Sequence, residues 1–304
     1  MWFARRMLSL VGALALAVSI TFVLLRALPG DAITAQMRIS GASAGSIAER
    51  RTALGLDLPP LHQYIDYWID AARGDLGVSL IDGQPVTDII MNQLDSTLLL
   101  AASALATAAA FGLLLGCAAG LGGFIVSRTA RIVIGLAISV PIYWTGTITL
   151  FVFAAQLRIL PAIDDGTWRG LVLPSAVLGF HTAGAIARVT WATVRATNTA
   201  DFVRTARGKG LRESHVILSH ILRVGLPAIL SVIALQAGFL LGGVVVTETL
   251  FSRPGVGRLL LSAALGQDYP VVQGIVLWSA FAYSVVQLLF DAANWLIDPR
   301  LRTT

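Results

Sequence analysis

The chain has 304 residues, of which 56% are hydrophobic and only 13% charged, and its net charge is +5. That balance excludes an ordinary soluble domain and places the chain among integral membrane proteins. One cysteine, Cys117, excludes an intrachain disulfide framework and a Cys-rich metal site, and the positive balance arises from loops between apolar runs, so no nucleic-acid partner is implied.

Six apolar runs have lengths suited to the roughly 30 Å hydrocarbon core of a bilayer: 7–28, 97–121, 132–156, 171–187, 226–250 and 271–289. They predict an all-α protein with six transmembrane helices in one domain, 1–304. The first run, 7–28, follows Arg5 and Arg6. It is longer than the core of a cleaved leader, and no A-x-A-like site follows it before Pro29, so it reads as a span. Residues 29–95 form the one sizeable polar segment. Apolar and polar residues there alternate at helical spacing, around an aromatic-acidic patch of Tyr64, Asp66, Tyr67, Trp68 and Asp70. Short amphipathic helices outside the membrane are expected, with turns at Gly74, Gly77 and Gly83-Gln-Pro85.

The second run carries Ala104, Ala108, Gly112, Gly116 and Gly120 at a strict four-residue interval. Such a stripe lies on one helix face and lets another backbone approach closely. The fifth run repeats the device with Ala234, Gly238 and Gly242. Pro141, Pro174 and Pro227 mark kinks or helix starts. The fourth run is the shortest and contains His181. An ionisable residue at that depth is a pathway candidate, the alternative being a packed and hydrogen-bonded side chain. Gln156, Gln236 and Gln287 either line an aqueous route or bond adjacent helices; Gln273 reads the same way.

If the N-terminus, the loops at 122–131 and 188–223 and the C-terminal tail share one side, that side holds 13 of the 22 basic and 4 of the 17 acidic residues. By the positive-inside rule this side is cytoplasmic, giving N-in and C-in. Trp2, Trp168, Trp191 and Trp295 fall near run ends, as an interfacial belt requires.

No phosphate-binding G-x-x-x-x-G-K-[ST] is present, and Gly208-Lys209-Gly210 lacks its spacing and hydroxyl. His62, His181, His215 and His220 form no H-E-x-x-H pair, and no G-x-S-x-G elbow occurs. No catalytic residue, metal site or bound cofactor is expected.

The block 198–227 is basic and polar, with Arg204, Arg207, Lys209 (the only lysine), Arg212 and Arg223. Asn198 or Thr199 suits the cap of a short helix, with Asp201 in its first turn. Phe202 and Val203 read as apolar anchors, small Thr205 and Ala206 as room for a partner, and Gly208 and Gly210 as its end or bend. Such a helix either fits a cleft on a soluble protein or rests on anionic headgroups.

Asp201-Phe-Val-Arg-Thr-Ala-Arg-Gly-Lys-Gly-Leu211, running on to Leu226-Pro227, resembles the "EAA" loop of permease subunits in binding-protein-dependent ABC importers, most closely the peptide/nickel/opine branch. Arg204-Thr205-Ala206 stand where the general pattern reads Glu-Ala-Ala, and Gly210 matches its glycine. Gly208, where the branch commonly has Ala, departs from it. Leu28-Pro-Gly-Asp31, Leu54-Gly-Leu-Asp57, Arg73-Gly-Asp-Leu-Gly77, Ser139-Val-Pro141, Phe251-Ser-Arg-Pro-Gly-Val-Gly257, Asp268-Tyr-Pro-Val-Val-Gln273 and Asp298-Pro-Arg300 extend the resemblance over nearly the whole chain.

The resemblance implies the type I ABC importer permease fold. It places an extracytoplasmic segment at 29–95 and a five-span core at 96–292, with a cytoplasmic coupling loop at 188–225 and a cytoplasmic tail at 293–304. Asp201, Phe202, Val203, Arg204, Thr205, Ala206, Arg207, Gly208, Lys209, Gly210 and Leu211 would form the coupling helix on the ATPase. Implied partners are a second homologous permease, two ATP-binding subunits that hold ATP and Mg, and an extracytoplasmic substrate-binding protein. The setting is the bacterial inner membrane. The cargo would be di-, tri- or oligopeptides, with nickel chelates or opines the alternative. A stand-alone ion-coupled transporter, the rival class, calls for inverted repeats and paired intramembrane charges; neither is visible in the sequence.

Overall fold

The computed structural model describes residues 2–27, 32–39 and 41–297. The motifs at 28–31 and 298–300, and the tail beyond them, lie outside the described residues. In chain order the helices are α1 (Trp2–Ala27), α2 (Ala32–Ile39), α3 (Ala44–Ala53), α4 (Pro60–Ala72), α5 (Val86–Leu121), α6 (Phe124–Ser139) and α7 (Ile142–Thr149). Then follow α8 (Trp168–Asn198), α9 (Asp201–Gly208), α10 (Glu213–Val216), α11 (Arg223–Gly243), α12 (Val245–Leu250), α13 (Val256–Leu265) and α14 (Tyr269–Ile297). Two π-helical segments, Leu150–Gln156 and Ile217–Leu222, continue α7 and precede α11. Among the described residues the only β feature is an isolated bridge, Val78 to Pro85.

Among the described residues five helices are long and apolar enough to cross a membrane, and the pair Phe124–Ser139 plus Ile142–Gln156 makes a sixth if counted as one span. That pair is bent by 104°, so the run 132–156 is not one straight helix. Proline disfavours the helical region for the residue before it; Val140 is extended (ψ 132°), and Pro141 caps α7. The run 226–250 is also redrawn: apolar helix begins at Glu213 and the chain breaks at Val244. The short fourth run proves to be a 31-residue helix and the most buried span. Residues 86–95, assigned to the polar segment, are the first turns of α5. Short helices α2, α3 and α4 do occupy the rest of that segment.

The chain divides into two compact units. The first comprises Met1–Thr97 and Pro254–Ala282. Its core joins Leu25 of α1, Val86 and Ile90 of α5, Val256 and Ala263 of α13, and Val271, Val272 and Ile275 of α14. Gly77 (φ +82°) and Gly83 (φ +67°) turn the chain into α5 in the left-handed conformation that glycine adopts cheaply. Buried Asp268 accepts hydrogen bonds from Ser79 Oγ (2.5 Å) and the Leu80 amide (3.1 Å), pinning this turn to the start of α14. Thr97 Oγ1 likewise accepts from the Val256 amide at 2.8 Å.

The second unit comprises Leu98–Arg253 and Tyr283–Thr304. Its centre is α8 against α5. Gly112, Gly116 and Gly120 face Ile186, Thr190 and Val194 so closely that a Cβ on Gly112 would lie 2.8 Å from Ile186 and one on Gly120 2.7 Å from Val194. Gly179 of α8 answers with a close approach to Thr107. On α11, Gly238 abuts the Tyr283 ring and Ala234 is buried. Gly242, read as part of the same stripe, has no described atom within 4 Å of a Cβ there and makes no such contact.

Candidate functional site

Between α8 and α11 the polar loop folds as α9, α10 and a π turn. Ala200, extended at ψ 148°, precedes α9 and provides no side-chain cap. The expected cap at Asn198 or Thr199 is absent because α8 runs through Asn198 and Thr199 closes it. The Asn198 side chain is engaged elsewhere, its Oδ1 accepting from Arg207 Nη2 at 2.6 Å. The same guanidinium donates to Glu213 from Nη2 (2.6 Å) and Nε (3.1 Å). Arg207 thus ties the end of α8, the last turn of α9 and the start of α10 together. Its hydrogen bonding to the Glu213 carboxylate raises the guanidinium pKa above its ordinary value.

Helical geometry divides α9 into two faces. Val203 and Ala206 are buried with Val194, Val216 and Ile221. They therefore face the chain's own core, which corrects their reading as partner-facing contacts. Asp201, Phe202, Arg204, Thr205 and Gly208 point outward, followed by exposed Lys209, Gly210 and Leu211. Phe202 is 45% exposed, an apolar ring set among charges. Asp201 and Arg204 pair at 3.7 Å on the exposed surface.

The helix ends in a Schellman turn. Gly210 (φ +77°) donates to the Arg207 carbonyl at 2.9 Å and Leu211 to the Ala206 carbonyl at 3.4 Å. Gly210 is accordingly the residue that requires glycine. Gly208 has ordinary helical geometry and open space around it.

The pathway candidates are dispersed. Gln156 is exposed at the end of the π segment after α7, and Gln236 and Gln287 are half-buried on α11 and α14. His181 is bonded at both ring nitrogens: Nδ1 to the Ala137 carbonyl (2.9 Å) and Nε2 to Thr145 Oγ1 (2.7 Å). A carbonyl only accepts, so Nδ1 carries the proton; Thr145 Oγ1, in contact with Nε2, also donates to the Ile142 carbonyl at 2.9 Å. His181 fastens α8 to both arms of the bent α6–α7 pair, the packed alternative of the two readings. Among the described residues no group of three or more His, Cys, Asp or Glu side chains is placed to hold a metal ion.

Two features escaped the sequence reading. Arg253 and Asp164 form an ion pair at 3.0 Å with side chains only 6% and 8% exposed. Glu248 of α12 is fully buried. The 89 residues separating Asp164 from Arg253 offer no local pattern, and Glu248 lies inside a run read as a single span.

The family model described as "Binding-protein-dependent transport system inner membrane component" matches residues 112–303. The chain is 34% identical to the glutathione transport system permease protein GsiC of Pectobacterium atrosepticum, over 99% of this chain and 98% of that protein. It is 35% identical to the GsiC protein of Escherichia coli, over 98% and 97% of the two chains. A solved structure of the MetNI methionine ABC transporter in inward-facing form superposes with a TM-score of 0.59 at 15% identity, over 69% of this chain and 96% of that one, which supports the fold alone. Sequence likeness along the whole length, a family match over the coupling-loop half and a shared helical fold lead to one conclusion: the chain belongs to the inner-membrane components of binding-protein-dependent transport systems, as an ABC importer permease of the peptide/nickel branch.

Proposed function

We propose that this chain forms, with a second homologous permease, the translocation pathway of a peptide importer. ATP hydrolysis in two partner subunits drives it, and a substrate-binding protein supplies it from outside. Both termini and the 188–225 loop lie in the cytoplasm, so α9 meets the ATPase; ATP and Mg bind in that partner and this chain holds no cofactor. The observation that carries the reading is the construction of α9. Val203 and Ala206 anchor it, Arg207 clamps it from the flank, and Phe202, Arg204 and Thr205 stand exposed on its outer face. A rigid element with an exposed aromatic and a basic rim suits the transmission of force to a groove. Two relatives named for glutathione, a tripeptide, favour short peptides as cargo.

The test is reconstitution with the partner subunits. Phe202→Asp is expected to weaken ATPase retention on the order of 30-fold, as loss of a central aromatic anchor does, with the unfolding midpoint unchanged because the ring is exposed. Thr205→Trp should block docking sterically. Ala206→Trp would disturb the core beneath and does not report on docking. Wild-type retention and wild-type peptide-stimulated ATP hydrolysis in both Phe202→Asp and Thr205→Trp would overturn the assignment. Stimulation by a binding protein loaded with a nickel chelate or an opine, and not with peptide, would overturn the cargo class.

A further inference from the structure

We infer that α4 is an interfacial membrane helix whose apolar edge, Leu61, Ile65 and Ile69, is embedded in the bilayer beside the C-terminal end of α1. The inference rests on α1 being a span and is independent of the cargo.

At 100° per residue α4 has three sides. One packs on α1. Tyr64 Oη and Ser19 Oγ are hydrogen bonded at 2.7 Å, the Tyr64 ring meets Phe22 edge-on at 5.2 Å, and Gln63 Oε1 accepts from Arg26 at 2.5 and 3.2 Å. The second side carries His62, Asp66 and Asp70. The third carries Leu61, Ile65 and Ile69, which are 68%, 46% and 46% exposed. Water would face three large aliphatic side chains in register, on a helix that otherwise segregates its charge cleanly.

The surface beside this edge identifies its partner. On α1, the flank next to Ser19 and Arg26 carries Ile20, Val23 and Leu24, all at least half exposed, and α1 is a membrane-spanning helix by length and hydropathy. Because α4 packs on this helix through Gln63 and Tyr64, its apolar edge stands next to a span whose own outer surface is apolar. Adjacent residues of α4, Gln63 and Tyr64, bond side chains rooted seven residues apart on α1, Arg26 and Ser19. This is the pattern of a helix lying across the span. Tyr64 and Trp68, in edge-on contact at 6.3 Å, sit at the seam, where amphipathic rings favour the headgroup level. Arg26 lays its guanidinium over the Phe22 ring, 3.4 Å from the centroid, and so joins the contact between α1 and Gln63 of α4.

The test uses the full chain with its partner subunits in phosphatidylethanolamine–phosphatidylglycerol nanodiscs. In a Cys117→Ser background, nitroxide labels are placed on Leu61→Cys, Ile65→Cys, Ile69→Cys, His62→Cys and Asp66→Cys. Collision with oxygen should exceed collision with a water-soluble nickel chelate severalfold at 61, 65 and 69, and the order should reverse at 62 and 66. Should a labelled protein not assemble, the unlabelled cysteine variants in intact membranes serve instead, with Ile65→Cys reacting severalfold more slowly than Asp66→Cys with a charged maleimide. Equal nickel access at all five positions, or equal maleimide rates, would overturn the inference. So would shielding of 61, 65 and 69 that occurs only after the substrate-binding protein is added, which would make the face a protein dock.

Discussion

Arg207 and the Asp164–Arg253 pair show how differently one type of side chain acts in two settings. Arg207 works at the surface as a strap, and Arg207→Ala should leave the spans folded while amide exchange across α9 and α10 becomes faster; unchanged exchange there would refute the strap. Arg253 is almost wholly enclosed. Asp164→Asn leaves the guanidinium without its counter-charge and should cost about 3–5 kcal/mol, read as a lower unfolding midpoint in detergent. Asp164→Asn combined with Arg253→Met should recover part of that loss. The sequence made Arg207 visible as one cation in a basic block and left its partners hidden. The pattern Asp-Phe-Val-Arg-Thr-Ala placed two apolar residues side by side, about 100° apart on a helix, and only the packed core decides that Val203 turns in and Phe202 out.

Among the elements, the glycine stripe of α5 was legible because a four-residue interval on a helix has a direct geometric meaning. Its consequence is graded. Gly116→Ala places a methyl against Thr190 and should destabilise by about 1–3 kcal/mol. Gly135→Ala, with nothing within 4 Å, should be neutral or stabilise by about 0.5–1 kcal/mol through helix propensity. Paired thermal unfolding curves in one detergent check both, and similar shifts for the two variants would remove the close-packing account. The breaks were harder to read. Pro141 was evident, and the residue before it, Val140, is extended at the 104° bend; the close seating of Gly146 under Leu250 was not, because those partners are far apart in the chain. The break at Val244 follows Gly242-Gly243, a breaker signal that the apolar run around it conceals.

On the scale of the whole molecule, hydropathy marked the membrane class and most span positions because the bilayer imposes one length on every crossing helix. It also absorbed α12 into a neighbouring run and passed over α13, since short apolar helices and spans share the same alphabet. The family was legible through dispersed short motifs, each weak alone, whose order along the chain carried the information. The π segment at Ile217–Leu222 has a consequence of another kind. A π turn holds about one residue more than an α turn, so the stretch of chain between the polar loop and α11 contains slack. Removing one residue there lets the ladder close as α-helix with everything beyond still facing its neighbours. Removing one from the middle of α8 rotates the helix beyond the cut by about 100° and shortens it by about 1.5 Å. The first deletion should yield folded, monodisperse protein on gel filtration and the second should not. Length, in this chain, is negotiable at the hinge with the polar loop and fixed along the buried span beside it.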